Sequence, residues 1–260
     1  MINIISEKNG IMAVWYREFK VFLREKSRIV ASIITPILWL LIFGGGLGAN
    51  VAIAGINYES FIYPGILIQS VLFSSIFFGV YIVWDRKIDF LKEVLVAPIS
   101  RTAIFVGKIL GGATDSLIQS LILLLIGFVL GSLGIIPGLH FTAFSFLASL
   151  LFLFIATTSF VSVGLIIGSQ MESPEGFQLI TSFLLFPLFF LSGALFPINN
   201  LPFWLAPLTR LDPLTYAVDG LRNIILGVSQ FSLSFDLGIL IIFSVAVIFI
   251  GTYSFKKMKV

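Results

Sequence analysis

Lys108, Asp115 and His140 are the residues whose types and settings invite chemistry. An acid inside a long apolar run normally marks function, and Asp115 is the clear case here. It follows Lys108 on a similar face of one predicted helix, roughly 10 Å away at about 1.5 Å rise per residue. That is too far for a direct pair without side-chain reach. No second buried acid or histidine continues a proton path, so an Asp that is hydrated or bonded to a neighbouring helix is expected. Gly107-Lys108 is the one Gly-Lys step. Thr102 stands where a phosphate-cradling loop needs glycine, and Ile109 where it needs Ser or Thr, so no nucleotide site is expected. His140 is the lone histidine and sits at a helix boundary. Neither a catalytic base nor a metal site follows from it. With no cysteine there is no thiol chemistry. The chain is read as a non-enzyme, without a catalytic residue, metal ligand or cofactor of its own.

The elements that hold these residues are apolar. Of 260 residues, 58% are hydrophobic and 11% charged. A soluble domain needs more charged surface than that, so a single membrane domain over 1–260 is expected. The net charge of +3 is too small to argue for nucleic acid. Six runs suit spanning helices, at about 30–49, 61–84, 104–132, 142–168, 176–196 and 236–255, with a kink at Pro36 in the first. Residues 1–29 carry an amphipathic helix instead of a signal peptide. Its aromatic row includes Trp15, Phe19 and Phe22 and its basic row Arg17, Lys20, Arg24 and Arg28, which suits the membrane interface.

Charge placement sets the expected topology. Lys8, Arg17, Lys20, Arg24, Lys26 and Arg28 precede the first span. Arg86, Lys87, Lys92, Arg101 and Lys108 surround the second connection, and Lys256, Lys257 and Lys259 end the chain. Only Arg210 and Arg222 lie opposite. Both termini should then be cytoplasmic, in a multi-pass protein of the cell membrane. The 169–175 loop has Glu172 and Glu175 but no basic residue, and fits least well. Glycine pairs four apart, such as Gly107 and Gly111 or Gly164 and Gly168, let helices approach closely within one subunit or across a dimer seam.

Two stretches break the pattern. Residues 191–222 are too apolar for an ordinary loop and too rich in proline for a spanning helix, with Pro197, Pro202, Pro207 and Pro213. Two short helices are expected, one capped by Asn200 and starting near Pro202, the next capped by Asp212 with Pro213 in its first turn. Asp219 and Arg222, three apart, can pair. Together, residues 197–225 are read as an external hairpin dipping into one membrane face, because broken backbone at membrane depth needs shelter. The second stretch is 85–101, DRKIDFLKEVLVAPISR. Ile88, Leu91 and Leu95 share one face of a short helix that Pro98 ends, and such a face can dock into a partner's groove.

These stretches resemble the ABC-2 type permease family, membrane subunits of ATP-driven exporters of drugs, polysaccharides and nodulation factors. The likeness lies in L-S-G, F-P at Pro197, L-P-x-W-L over Leu201 and Trp204, D-P-L-T-Y over Asp212, Pro213 and Tyr216, and then Arg222. It continues in FIYPG at 61–65 and in Leu95-Val96-Ala97-Pro98. The family usually has Asn where this chain has Asp212. The resemblance implies an all-α fold of six transmembrane helices with an N-terminal interfacial helix, a cytoplasmic coupling helix and an external re-entrant hairpin. It also implies a homodimer or a pair with a similar permease in the lipid bilayer. A separate ABC ATPase would bind ATP and Mg and push on residues 85–98 and on the interfacial helix. The cargo is expected to be amphipathic or lipid-linked. A secondary active transporter is the competing reading, and it would need an ion site at broken helices near the midplane. An intramembrane hydrolase lacks a nucleophile–base pair.

Overall fold

The computed structural model describes residues 4–48, 52–53, 55–199 and 201–258. Asn200 and Lys259, named above as a cap and a tail charge, lie outside them. Along the chain run α1 (Ile4–Arg24), α2 (Lys26–Trp39), a π-helical turn (Leu40–Gly44), α3 (Gly45–Gly48), β1 (Ala52–Ile53) and β2 (Ile56–Asn57). Then come α4 (Tyr58–Phe77), α5 (Val80–Lys87), α6 (Phe90–Val96), α7 (Arg101–Ser132), α8 (Ala143–Gln170), α9 (Pro174–Leu191), α10 (Ala206–Leu211), α11 (Pro213–Leu226) and α12 (Leu233–Lys257). The two strands form one small antiparallel pair.

Among the described residues, six helical segments are long and apolar enough to cross a membrane: Lys26–Gly44, Tyr58–Lys87, Arg101–Ser132, Ala143–Gln170, Pro174–Leu191 and Leu233–Lys257. Each matches an expected span to within a few residues. Pro36 lies inside α2, and a π turn begins four residues later at Leu40. Serine or threonine caps α7, α8 and α9 through Ser100, Thr142 and Ser173, with Pro174 in the first turn of α9.

The centre of the bundle is α4, whose residues 60–72 are all buried, against α7, α8 and α11. At Gly79, where α4 gives way to α5, α8 crosses so closely that a Cβ would enter the Gly164 backbone. Gly164 and Gly168 thus serve packing inside the chain.

The three basic groups gather at one end of the molecule. Glu7 of α1 accepts hydrogen bonds from the Ser100 amide at 2.9 Å and its hydroxyl at 2.6 Å. Arg101 donates to the Lys256 and Met258 carbonyls at 2.9 Å each. The 169–175 loop joins them because Arg86 donates to the Ser169 and Met171 carbonyls, at 2.8 and 2.6 Å, and caps α8. That loop borrows its positive charge from another connection. The proline-rich hairpin, α10 and α11, lies at the opposite end.

Candidate functional site

Helix α1 is seated on α7 by two glycines. A Cβ on Gly107 would strike Val14 and Ile11, and one on Gly111 would strike Glu18. This approach brings together four charges from three elements. Lys108 Nζ lies 2.9 Å from Glu18 Oε1 and 2.8 Å from Asp85 Oδ2. Arg17 reaches Asp85 Oδ1 at 2.5 Å and Glu18 Oε1 at 2.7 Å. The Lys108 and Glu18 side chains are each 1% exposed. Two cations and two carboxylates cancel, which is what lets such charges leave water. Burial alone would lower the Arg17 pKa, but the hydrogen bond to Asp85 and the charge of Glu18 carry it above its ordinary value. Its guanidinium also lies 4.3 Å over the Phe90 ring.

Helix α1 also packs on the bundle along one face. Phe22 is buried, and Trp15 donates to Thr114 of α7 at 3.0 Å while stacking on Phe19. The strip left outside holds Met12, Tyr16, Lys20, Leu23 and Arg24.

Residues 88–98 form a corner instead of one helix. Helix α5 ends at Lys87, and Asp89 takes a left-handed conformation, φ 60°, that Asp tolerates better than most residues. Helix α6 then starts afresh at Phe90, and Ala97 is extended before Pro98, as sterics before proline demand. This break corrects the expected shared face. Leu91 is 0% exposed and packs with Phe78, Ile82, Phe105 and Phe255, and Leu95 leans on the same cluster. Ile88, on the other side of the break, is 65% exposed, and Val96 is 85% exposed. The free surface is the ridge of Ile88, Lys92 and Val96, while Leu91 anchors it from beneath.

Deeper in the bundle, Arg28 of α2 pairs with Asp115 of α7 at 2.9 Å and donates to the Tyr81 hydroxyl at 2.5 Å. Tyr81 in turn donates to Glu25. Asp115 is thus bonded to a neighbouring helix, and Lys108 goes to other partners. Asp115 also accepts from the Gln119 amide. Beside this pair lies a cavity of about 570 Å³ between α2, α4, α7 and α9. Its lining includes Ser32, Thr35, Gln69, Ser70, Ser74 and Gln119 together with Trp39, Phe73, Phe77, Phe186 and Phe189. A mixed apolar and polar lining of this size suits one small amphipathic ligand.

At the hairpin end, Asp212 caps α11 by accepting from the Leu214 amide at 2.9 Å, as expected. Burial raises the Asp212 pKa to about 7, and the Leu214 bond offsets only part of that. Helix α10 starts at Ala206, later than expected, because residues 203–205 still form turns. The two limbs differ in setting. Pro197 and Trp204 are exposed and Leu201 and Pro213 half-buried, whereas Tyr216 and Arg222 are buried among α4, α8 and α12. Tyr216 donates to the Arg210 carbonyl at 2.7 Å and locks the limbs together.

The expected Asp219–Arg222 pair does not form. Asp219 accepts from the Gln230 and Phe231 amides at 2.9 Å, closing the turn before α12. Arg222 donates to the Gly193 carbonyl at 2.9 Å, with its guanidinium 3.9 Å over the Phe61 ring. Backbone groups at a helix end and a turn outcompete a pair three residues apart. Burial lowers the Arg222 pKa to about 10, with Asp219 opposing the shift. For Asp219, burial raises the pKa against the two amides.

Sequence reasoning missed the Arg17–Glu18–Asp85–Lys108 cluster and the two glutamines of the cavity. The one available signal was Glu18, an acid between the basic positions of α1.

Comparison with known proteins bears on all of this. The ABC-2 type transporter family matches residues 9–226. The chain is 29% identical over 245 residues to the inner membrane transport permease YadH of Escherichia coli K12, covering 91% of each. It is 30% identical over 260 residues to the putative transport permease ycf38 of Cyanophora paradoxa, covering 92% of this chain and 86% of the relative. Nodulation protein J of Rhizobium meliloti is 27% identical over 250 residues, with 95% of this chain and 92% of that protein covered.

Proposed function

The chain belongs to the ABC-2 type transporter family, as a multi-pass membrane permease, and on that premise we propose that it forms the substrate pathway of an exporter driven by a separate ABC ATPase. One observation carries the reading: the family match over 9–226, which takes in five of the six long apolar segments, the charged clamp and the whole hairpin. The basic end faces the cytoplasm in this reading, since Lys and Arg gather on that side of a membrane.

The ATPase docks on the ridge of Ile88, Lys92 and Val96, with ATP and Mg held in the partner. Its closure pushes the corner, and the clamp passes the push to α1 and α7. A second copy, or a similar permease, completes the pathway over the cavity. The cargo is amphipathic, as aromatic and polar residues on one lining suggest, and the hairpin shapes its exit. Residues 1–260 work as one transmembrane domain without ATPase activity of their own. No observation favours the secondary-transporter alternative.

The test is co-purification of the full chain with an ABC ATPase from its native membrane, joined to reporter tags near Lys92 and Asn199. ATPase association with a cytoplasmic Lys92 tag and an external Asn199 tag is the expected result. ATP hydrolysis by the isolated chain, or a cytoplasmic tag at Asn199, would overturn the reading.

A further inference from the structure

We propose that the exposed row of α1, formed by Lys8, Met12, Tyr16, Lys20 and Arg24, is a binding surface for anionic phospholipid headgroups in the leaflet at the basic end. Lipid binding there needs no ATPase and no particular orientation of the chain.

Helix α1 sorts its charges. With the residue that follows it, the helix carries three acids, and the bundle engages all of them. Glu7 accepts from Ser100, Glu18 joins the clamp at Lys108, and Glu25 accepts from Tyr81 of α5. The cations divide. Arg17 goes to the clamp, whereas Lys8, Lys20 and Arg24 lie exposed, and Lys26 continues them at the start of α2. Among the described residues, no carboxylate comes within 4.0 Å of any of these four. The fold thus turns the acids inward and leaves an outer face with positive charge and none to balance it. Such a face selects a net negative headgroup over a zwitterionic one.

The apolar members of the row favour a lipid over a soluble acidic partner. Residues 8, 12, 16, 20 and 24 are four apart, so they follow one another along one side of the helix. Met12 and Tyr16 in the middle are half exposed, as is Leu23 beside Arg24. Apolar side chains edged by cations suit the boundary between acyl chains and headgroups. Lys20 folds back over the Tyr16 ring, its Nζ 4.5 Å from the centroid. Lys20 and Arg24 are about 6 Å apart along the axis at about 1.5 Å rise per residue, near enough to share one phosphate.

Two other elements repeat the pairing. Lys87 lies 5.2 Å from the centre of the Trp84 ring in α5, and Lys257 lies 4.4 Å from that of Tyr253 in α12. Both pairs close the basic ends of segments long and apolar enough to span, so they mark the level where headgroups begin. Helix α1 is held at that level, because Arg17 grips Asp85, two residues before Lys87.

The experiment uses the full chain in nanodiscs of equal parts phosphatidylglycerol and phosphatidylcholine. The chain has no cysteine, so Ala13→Cys, at an exposed position beside the row, carries a single fluorophore. Bromine is placed in the acyl chains of one lipid or the other, and the quenching is compared. Brominated phosphatidylglycerol should quench at least about twofold more strongly, since each cation near an anionic surface adds about fivefold to binding. Lys20→Gln with Arg24→Gln should bring the two lipids level. Salt at about 1 M should level them without those two changes, and this arm decides if the double variant fails to fold. Equal quenching by the two lipids at low salt overturns the proposal, and so does a phosphatidylglycerol preference that survives in the folded double variant. Quenching by soluble iodide and by neither lipid would overturn it too, and would give the row to a soluble acidic partner.

Discussion

Arg28 of α2 and Asp115 of α7 form an ion pair at 2.9 Å beside the cavity. Asp115 simultaneously holds the amide of Gln119, so one carboxylate ties the first spanning segment to the third and sets a lining side chain.

Breaking that pair should cost stability in an asymmetric way. Asp115→Leu leaves Arg28 with Tyr81 and with the longer Glu25 contact at 3.8 Å, and should destabilise the chain by about 3 kcal/mol, the low end for a broken buried pair. The double variant Arg28→Met with Asp115→Leu should recover most of the loss, because no unpaired charge remains. Thermal unfolding of the purified variants in one detergent checks this. A double variant no better than the single would show that packing, and not charge, holds the corner.

The clamp around Lys108 makes a second case. Lys108→Met leaves Glu18 and Asp85 to share Arg17, and should cost about 3–5 kcal/mol. Helix α1 should loosen first, seen as faster amide exchange over residues 11–24 than over α8. Gly107→Val should loosen α1 by steric means while keeping all four charged residues, since its side chain would meet Val14 and Ile11.

On the corner, Val96→Asp and Leu91→Asp should part company. Val96 is 85% exposed, so its carboxylate is harmless to the fold and should cut ATPase co-purification at least about tenfold. Leu91 is 0% exposed, and a carboxylate there should cost roughly 4 kcal/mol of stability and lower the yield of folded protein. Normal ATPase capture by Val96→Asp would remove this ridge from the docking surface.

The hairpin should respond to pH. Asp212 has a pKa of about 7 in the folded chain against 3.8 ordinarily. A raised carboxyl pKa means that the folded state holds its proton to higher pH. The resulting stabilisation is full below about pH 4, declines as pH rises, and is gone above about 7. Melting temperature should therefore rise as pH falls from 8 to 5. Asp212→Asn keeps a capping oxygen, so it should flatten that dependence and match the acid form, while Asp212→Ala should lose about 1 kcal/mol of capping. A slope retained in Asp212→Asn would assign the titration to another acid.

The spans were legible because twenty apolar residues in a row have few other uses, and Asp212 because a cap and its proline act over three positions. What escaped was long-range choice. Sequence spacing shows which side chains share a helix face, but not that Glu18 will find Lys108. The same limit turned Leu91 from a docking residue into an anchor. A periodic stripe at 88, 91 and 95 reads as one face only if the helix is continuous, and Asp89 interrupts it. The Asp219–Arg222 pair failed for a related reason, since the competing carbonyls and amides lie far along the chain.

The order in which the clamp's members are synthesised constrains assembly. Arg17 and Glu18 leave the ribosome first, Asp85 later and Lys108 last. Helix α1 cannot reach its seat until the third apolar segment has been made, because both Gly107 and Gly111 belong to it. During that interval Glu18 and Asp85 have no lysine, and α1 waits at the surface with its strip of Met12, Tyr16 and Leu23 to hold it there. Docking of the first helix thus waits for the third apolar segment, and a nascent chain halted before Lys108 should leave residues 11–24 open to protease.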